Sequence, residues 1–170
     1  MSTALAPLYA VSGAPGSGKS TILPELLKIA AGIVVMDIDE LLEDGRLLGL
    51  PIAVPEAEPI WPAYRRMWQR IIDMPRRAGH PALLLSPNTP DEIAGATACL
   101  LLDCADGIRA ERLRARRDSD RQIEAALEDA RYYRGIFDTT LVTDGLEPPI
   151  IAEQVLAWAR STPTNSPGHQ

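Results

Sequence analysis

The sequence holds one phenylalanine, two cysteines, two histidines and two lysines in 170 residues. Each scarcity excludes something. Cys99 and Cys104 fall in or beside one predicted strand, roughly 16 Å apart in extended chain and on opposite faces, so they cannot bridge each other. They read as buried, reduced thiols. With one of the two histidines at His169, near the end of the chain, no zinc-binding set can be assembled. No uncharged apolar run reaches the length that spans a bilayer. No basic segment precedes the apolar stretch of MSTALAPLYAVSG, which argues against a secretory signal. A soluble, cytoplasmic protein with no membrane partner is expected.

Positive charge is also in short supply. Lys and Arg total 17 against 23 Asp and Glu, for a net charge of -6 and a pI near 4.9. That balance disfavours long nucleic acid and anionic membrane as partners. What basic charge exists is clustered: Arg109, Arg112, Arg114, Arg116, Arg117 and Arg121 lie within 13 residues. A length of 170 residues with 46% hydrophobic content suits one domain, placed at residues 1–161. The tail over 162–170 lacks apolar residues and is expected to be disordered.

Apolar patterning predicts strands at Leu8–Ser12, Ile33–Met36, Ala82–Ser86, Ala98–Asp103 and Thr139–Thr143. Helices are predicted over 19–30, 39–48, 61–77, 106–117, 121–134 and 147–160, and a loop over 50–62. In the 61–77 helix, Trp61, Tyr64, Met67, Trp68, Ile71 and Ile72 form a stripe opposite Arg65, Arg66, Gln69, Arg70 and Asp73. Strands alternate with helices throughout. The fold class is α/β, with a parallel sheet covered on both faces.

Gly13-Ala14-Pro15-Gly16-Ser17-Gly18-Lys19-Ser20 matches G-x-x-x-x-G-K-[ST] in full, between a predicted strand and a predicted helix. Glycines let such a loop wrap a phosphate with backbone N–H groups, and the helix N-terminus adds a favourable dipole. Lys19 is spaced to reach β- and γ-phosphates, and the Ser20 hydroxyl to ligate Mg²⁺, with Thr21 next to them. A dinucleotide reading of Gly16-Ser-Gly18-Lys-Ser-Thr21, with Asp39 as ribose acid, fails at position 21 and leaves Gly13, Lys19 and Ser20 unexplained.

Asp37 and Asp39 emerge from the end of the second strand, the first of them 17 residues after Ser20. Ligands bind at that edge of open α/β sheets. One carboxylate can hold a water of the metal ion, and the other can take a proton from, or orient, an attacking hydroxyl. The plainer reading makes Asp37 a helix cap. Arg112 and Arg116 share one helical face at i, i+4 and are candidates to close over phosphates, unless they form a solvated face paired with neighbouring acids.

Together, Gly13–Ser20, Asp37-x-Asp39, Leu102-Asp103-Cys104 followed by Arg112-Leu-Arg114-Ala-Arg116, and Thr143-Asp144-Gly145 resemble the small P-loop kinases. That group includes shikimate, gluconate, adenylylsulfate and nucleoside monophosphate kinases and chloramphenicol phosphotransferase. The resemblance implies a P-loop NTPase three-layer sandwich with a five-stranded parallel sheet in the order 2-3-1-4-5. It further implies ATP and Mg²⁺ as cofactors and a small-molecule acceptor. By the same resemblance Asp39 is the acceptor-side acid and base, Asp37 lies nearer the metal, and an Arg-bearing lid follows strand four. The chain departs from the shikimate type at Ser86-Pro87-Asn88, where a glycine triplet is usual, and in its short lid.

The expected activity is transfer of the γ-phosphoryl of Mg-ATP to a hydroxyl. A nucleoside monophosphate kinase, or a regulatory ATP- or GTP-binding NTPase without a metabolic acceptor, is the alternative. Arg65, Arg66 or Arg70 could meet an anionic acceptor, and Trp61, Tyr64 or Trp68 a ring, unless the stripe is plain core. Arg131, Tyr132 and Thr143 are candidate neighbours of the nucleotide base.

Overall fold

The computed structural model describes residues 4–52 and 54–163. Its strands are β1 (Leu8–Ser12), β2 (Val34–Asp37), β3 (Arg46–Leu47), β4 (Leu50–Pro51), β5 (Ala82–Ser86), β6 (Ala98–Asp103) and β7 (Thr140–Val142). Five of them form one parallel sheet in the order β2-β5-β1-β6-β7. Numbered among those five alone, the arrangement reads 2-3-1-4-5; the labels run differently along the chain because the β3–β4 hairpin intervenes. Every residue of β1 and β5 is buried, which is why both read as unbroken apolar runs. The edge strands β2 and β7 are partly exposed.

Alternation along the strands feeds two cores. Tyr9, Val11, Leu83 and Leu85 pack against α1 (Lys19–Ile29) and α5 (Pro148–Ser161), through Ile22, Leu26, Val155 and Leu156. Leu8, Ala10, Ala82 and Leu84 face α2 (Trp61–Arg77), whose Tyr64, Trp68 and Ile72 recur every four residues as the stripe requires. Arg76, one step further along the same stripe, is buried too. It donates to the Ala6 carbonyl at 2.7 Å, to the Gly95 carbonyl at 3.2 Å and to Asp73 at 2.8 Å. Beyond β6 come α3 (Asp106–Ala115) and α4 (Asp120–Ile136). No helix among the described residues is long and apolar enough to cross a membrane.

Most element ends fall within two residues of the expected ones. The helix expected over 39–48 does not form. Asp37 instead caps a short 3-10 turn at Ile38–Leu41, and the chain then reverses twice. Asp44-Gly45 and Leu48-Gly49 both have positive φ, 50° and 73° then 50° and 83°, the signature of type I′ turns. The second joins β3 to β4, and its leucine is 93% exposed. The loop expected over 50–62 likewise holds β4 and a 3-10 helix at Pro55–Ile60. α5 runs through Ser161, while the expected disordered tail falls mainly on 164–170, outside the described residues.

Candidate functional site

β1 stops at buried Ser12, and the loop over 13–18 carries the chain to the start of α1. Gly13 is required by contact: a Cβ there would sit 2.5 Å from Ser17 Oγ and 2.6 Å from the Leu102 carbonyl. The loop's carbonyls are turned into the protein and bonded there. Arg109 donates to Ala14 O at 3.2 Å and Pro15 O at 2.6 Å, Arg112 to Gly16 O at 3.1 Å, and Thr143 Oγ1 to Ser17 O at 3.4 Å. The N–H groups of Gly16, Gly18, Lys19 and Ser20 form no hydrogen bond among the described residues. A peptide loop with its carbonyls engaged and its amides free is an anion cradle, and the α1 N-terminus reinforces it.

Lys19 Nζ donates back to the Gly13 carbonyl and approaches Ser17 Oγ. Burial of the ammonium lowers its pKa to about 8, although Asp37 and Asp39 both pull it upward. A cavity of about 330 Å³ opens beside the loop, walled by Gly16–Gly18, Thr21, Arg112, Arg116 and, opposite them, Leu146 and Pro148. Both predicted lid arginines therefore face the same space as the loop. Ser20 is exposed at the first turn of α1.

Asp37 does cap the turn after β2: its Oδ1 accepts from Asp39 N at 2.9 Å, while Glu40 accepts from Asp37 N at 3.2 Å. The cap uses one carboxylate oxygen and leaves the other. Burial raises the pKa of both Asp37 and Asp39, and Lys19 opposes that rise in each. Asp39 lines a second cavity of about 280 Å³, between the turn after β2, the start of α2 and the Ser86-Pro87-Asn88 segment after β5. The first cavity is thus walled by the loop residues just before Lys19, and the second by Asp39, whose charge acts on Lys19.

Trp61 and Tyr64 line the second cavity, as does Arg65. Trp68 belongs to the core, and Arg66 and Arg70 are exposed on the far face of α2. Arg131 and Tyr132 are exposed on α4 and line neither cavity, because that helix shows them its outer side. Thr143 is buried and serves the loop, through Ser17 O and Asp103 O, rather than a base. Cys99 and Cys104 are free thiols, and Cys104 is buried behind the loop.

The residues missed from sequence are those behind the loop. Arg109 is 0% exposed, and besides the two carbonyls it donates to Asp103 Oδ1 at 2.6 Å. Asp103 also accepts from Arg134 of α4, at 2.6 Å on Oδ2 and 3.2 Å on Oδ1. Arg134 continues to Asp106 at 2.8 Å. A signal existed. Asp103 ends a strand at the same sheet edge as Asp37, and Arg109 precedes buried Leu113 by one helical turn.

No family model matches the chain, and no curated protein is significantly similar in sequence. Solved structures are similar in fold. A tunicamycin resistance protein from Deinococcus radiodurans superposes with a TM-score of 0.63 at 21% identity, over 91% of this chain and 95% of that one. A shikimate kinase from Acinetobacter baumannii, in complex with shikimate, gives 0.63 at 14% identity, covering 92% and 94%. A gluconokinase from Sinorhizobium meliloti 1021 gives 0.61 at 18% identity, covering 94% and 95%. The fold is that of the small P-loop kinases, as the motifs had led us to expect.

Proposed function

We propose that this protein is a phosphotransferase that moves the γ-phosphoryl of Mg-ATP to a hydroxyl group of a small molecule. The observation that carries the reading is a cavity walled by the loop with its free amides and a second cavity lined by the Asp39 carboxylate, with Lys19 at the end of that loop near enough to Asp39 for each charge to act on the other. The kinase neighbours, gluconokinase and shikimate kinase among them, support it.

The donor triphosphate lies along Gly13–Thr21, its charge met by the free amides, Lys19 and the helix dipole. Arg112 of α3 and Arg116, just past its end, close over it. Ser20 and the uncapped oxygen of Asp37 suit a hard cation and would hold Mg²⁺, which supplies charge neutralisation to the phosphates. Asp39 accepts the proton of the acceptor hydroxyl. The hydroxyl oxygen forms a bond to the γ-phosphorus as the bond to the β–γ bridging oxygen breaks, and that electron pair leaves with ADP. Burial raises the Asp39 pKa, which makes the carboxylate a better proton acceptor than an exposed one.

The test is ADP release from Mg-ATP across pools of hydroxylated metabolites and nucleoside monophosphates, with mass spectrometry for the phosphorylated product. Product lost in both Lys19→Ala and Asp39→Asn supports hydroxyl transfer. Product on a nucleoside monophosphate, lost only in Lys19→Ala, would move the assignment to a nucleotide kinase. Tight ATP binding with no stimulated turnover would leave a regulatory NTPase.

A further inference from the structure

The acceptor side of the site says more about what it takes, given the phosphotransfer reading above. We infer that the cavity beside Asp39 is built for an uncharged alcohol with an apolar, ring-bearing body, and that it turns away carboxylate and phosphate acceptors.

Charge gives the first half of this. Among the described residues the one cation lining the cavity is Arg65, and its Nη2 lies 3.0 Å from Glu92 Oε1. Glu92 is anchored in turn. Its other oxygen accepts from the Thr89 N–H at 3.0 Å, closing the cap of the Pro90–Glu92 turn, while the Thr89 hydroxyl donates to Asp91 Oδ1 at 2.6 Å. An entering anion would therefore meet two carboxylates, Asp39 and Glu92, against one guanidinium already paired. Stripping water from such an anion without a free counter-charge is costly. Lys19 does not line this cavity, and its ammonium lies on the loop side, at the Gly13 carbonyl. A cationic acceptor is excluded by role: an ammonium paired with Asp39 would compete with the hydroxyl proton for the same carboxylate.

Polar valence gives the second half. Trp61 Nε1 donates to the Ile52 carbonyl at 2.8 Å, and the Tyr64 hydroxyl to the Ile38 carbonyl at 2.8 Å. With those groups engaged, both aromatics offer ring surface alone, beside Leu42 and Pro87. The Asn88 side-chain amide forms no hydrogen bond among the described residues. Its backbone is pinned on both sides, by Ser86 Oγ on the N–H at 3.0 Å and by the Ser12 hydroxyl on the carbonyl at 2.7 Å. Among the described side chains the cavity thus offers one free carboxylate, suited to a hydroxyl, and one neutral amide, suited to a second uncharged polar group, with no aromatic N–H or O–H donor left over.

Two probes that differ in one group test this: 1,4-benzenedimethanol and 4-(hydroxymethyl)benzoate. Calorimetric titration without nucleotide should show the diol binding at least about tenfold more tightly than the carboxylate. Glu92→Gln keeps a capping side chain but leaves Arg65 without a counter-charge, and should narrow or reverse that preference. Equal or tighter binding of the carboxylate by the unaltered protein, or no binding of either probe, would overturn the inference. Product formation from Mg-ATP is scored separately. The diol preference without product supports the pocket assignment and sinks phosphotransfer; product from the carboxylate alone does the reverse.

Discussion

Arg109→Met is the most informative single change away from the substrate cavities. Methionine keeps much of the side-chain bulk and removes the guanidinium. Three bonds go with it: to the Ala14 carbonyl, to the Pro15 carbonyl and to Asp103. Breaking a buried ion pair costs about 3–5 kcal/mol when it strands the partner. Here Asp103 keeps Arg134, and the unpartnered, buried Nε of Arg109 is relieved, so a loss of about 3 kcal/mol is expected, the low end of that range. With a urea slope of about 2 kcal/mol per molar for a chain of this size, the midpoint should fall by about 1.5 M. The freed carbonyls can then rotate toward the phosphate site, so ATP affinity should fall by about tenfold in protein that remains folded. A double-mutant cycle with Asp103→Asn should return a coupling of about 1–3 kcal/mol. A midpoint shift below about 0.5 M, or unchanged ATP affinity, would refute the claim that Arg109 holds the loop in its anion-binding form.

Asp39→Asn should raise Tm while lowering kcat by about 10²–10⁴. Burial raises the Asp39 pKa, so stability contributed by this group is lost as pH rises past the ordinary carboxylate value, and the ionised form weighs against folding at neutral pH. Thermal melts and initial rates check both halves. Lys19 works in the opposite direction. With its pKa lowered from 10.5 to about 8, the unfolded chain binds more protons than the folded one between those values, and stability from this group rises with pH across that window. Lys19→Met should flatten the rise in Tm between about pH 7.5 and 9.5, while Tyr133, held up at about 12, should bring stability down again above pH 10.

Four of the five sheet strands were legible because each sits in a run of four or more consecutive apolar residues, and buried parallel strands need no alternation to be seen; β7 is marked instead by the Thr143-Asp144-Gly145 turn that follows it. The phosphate loop was legible because its geometry tolerates few residue types. The hairpin at 46–51 was not. Leu41, Leu42, Leu47 and Leu48 imitate a helical stripe, and that period outweighed the Asp44-Gly45 dipeptide, a strong type I′ signal. Arg109 and Asp103 were hidden for another reason. In a run of six arginines the position of Arg109 one turn before Leu113 is a cue that Arg116 and Arg117, one turn after it, share; what singles Arg109 out is the carbonyls of a loop more than 90 residues away. Arg76 was hidden likewise, its partners Ala6 and Gly95 being remote in sequence.

The β3–β4 hairpin contributes no strand to the main sheet, yet Leu42 before it and Ile52 after it form part of the Asp39 cavity. It is fastened by one bond from Trp61 to the Ile52 carbonyl and by the packing of Leu47 and Ile52, with Leu48 and Leu50 left in solvent. Chemistry and recognition are thereby carried on separable pieces of chain. The loop over 13–18 is locked from behind by Arg109, Arg112 and Thr143, where few substitutions are tolerated. One edge of the Asp39 cavity, at Ile52, hangs on a ten-residue clip that pairs with no strand of the main sheet and can vary without disturbing a rung of it. A fold arranged in this way can reshape that edge of the cavity by redrafting residues 43–52, and leave the loop over 13–18 and the sheet that holds it as they are.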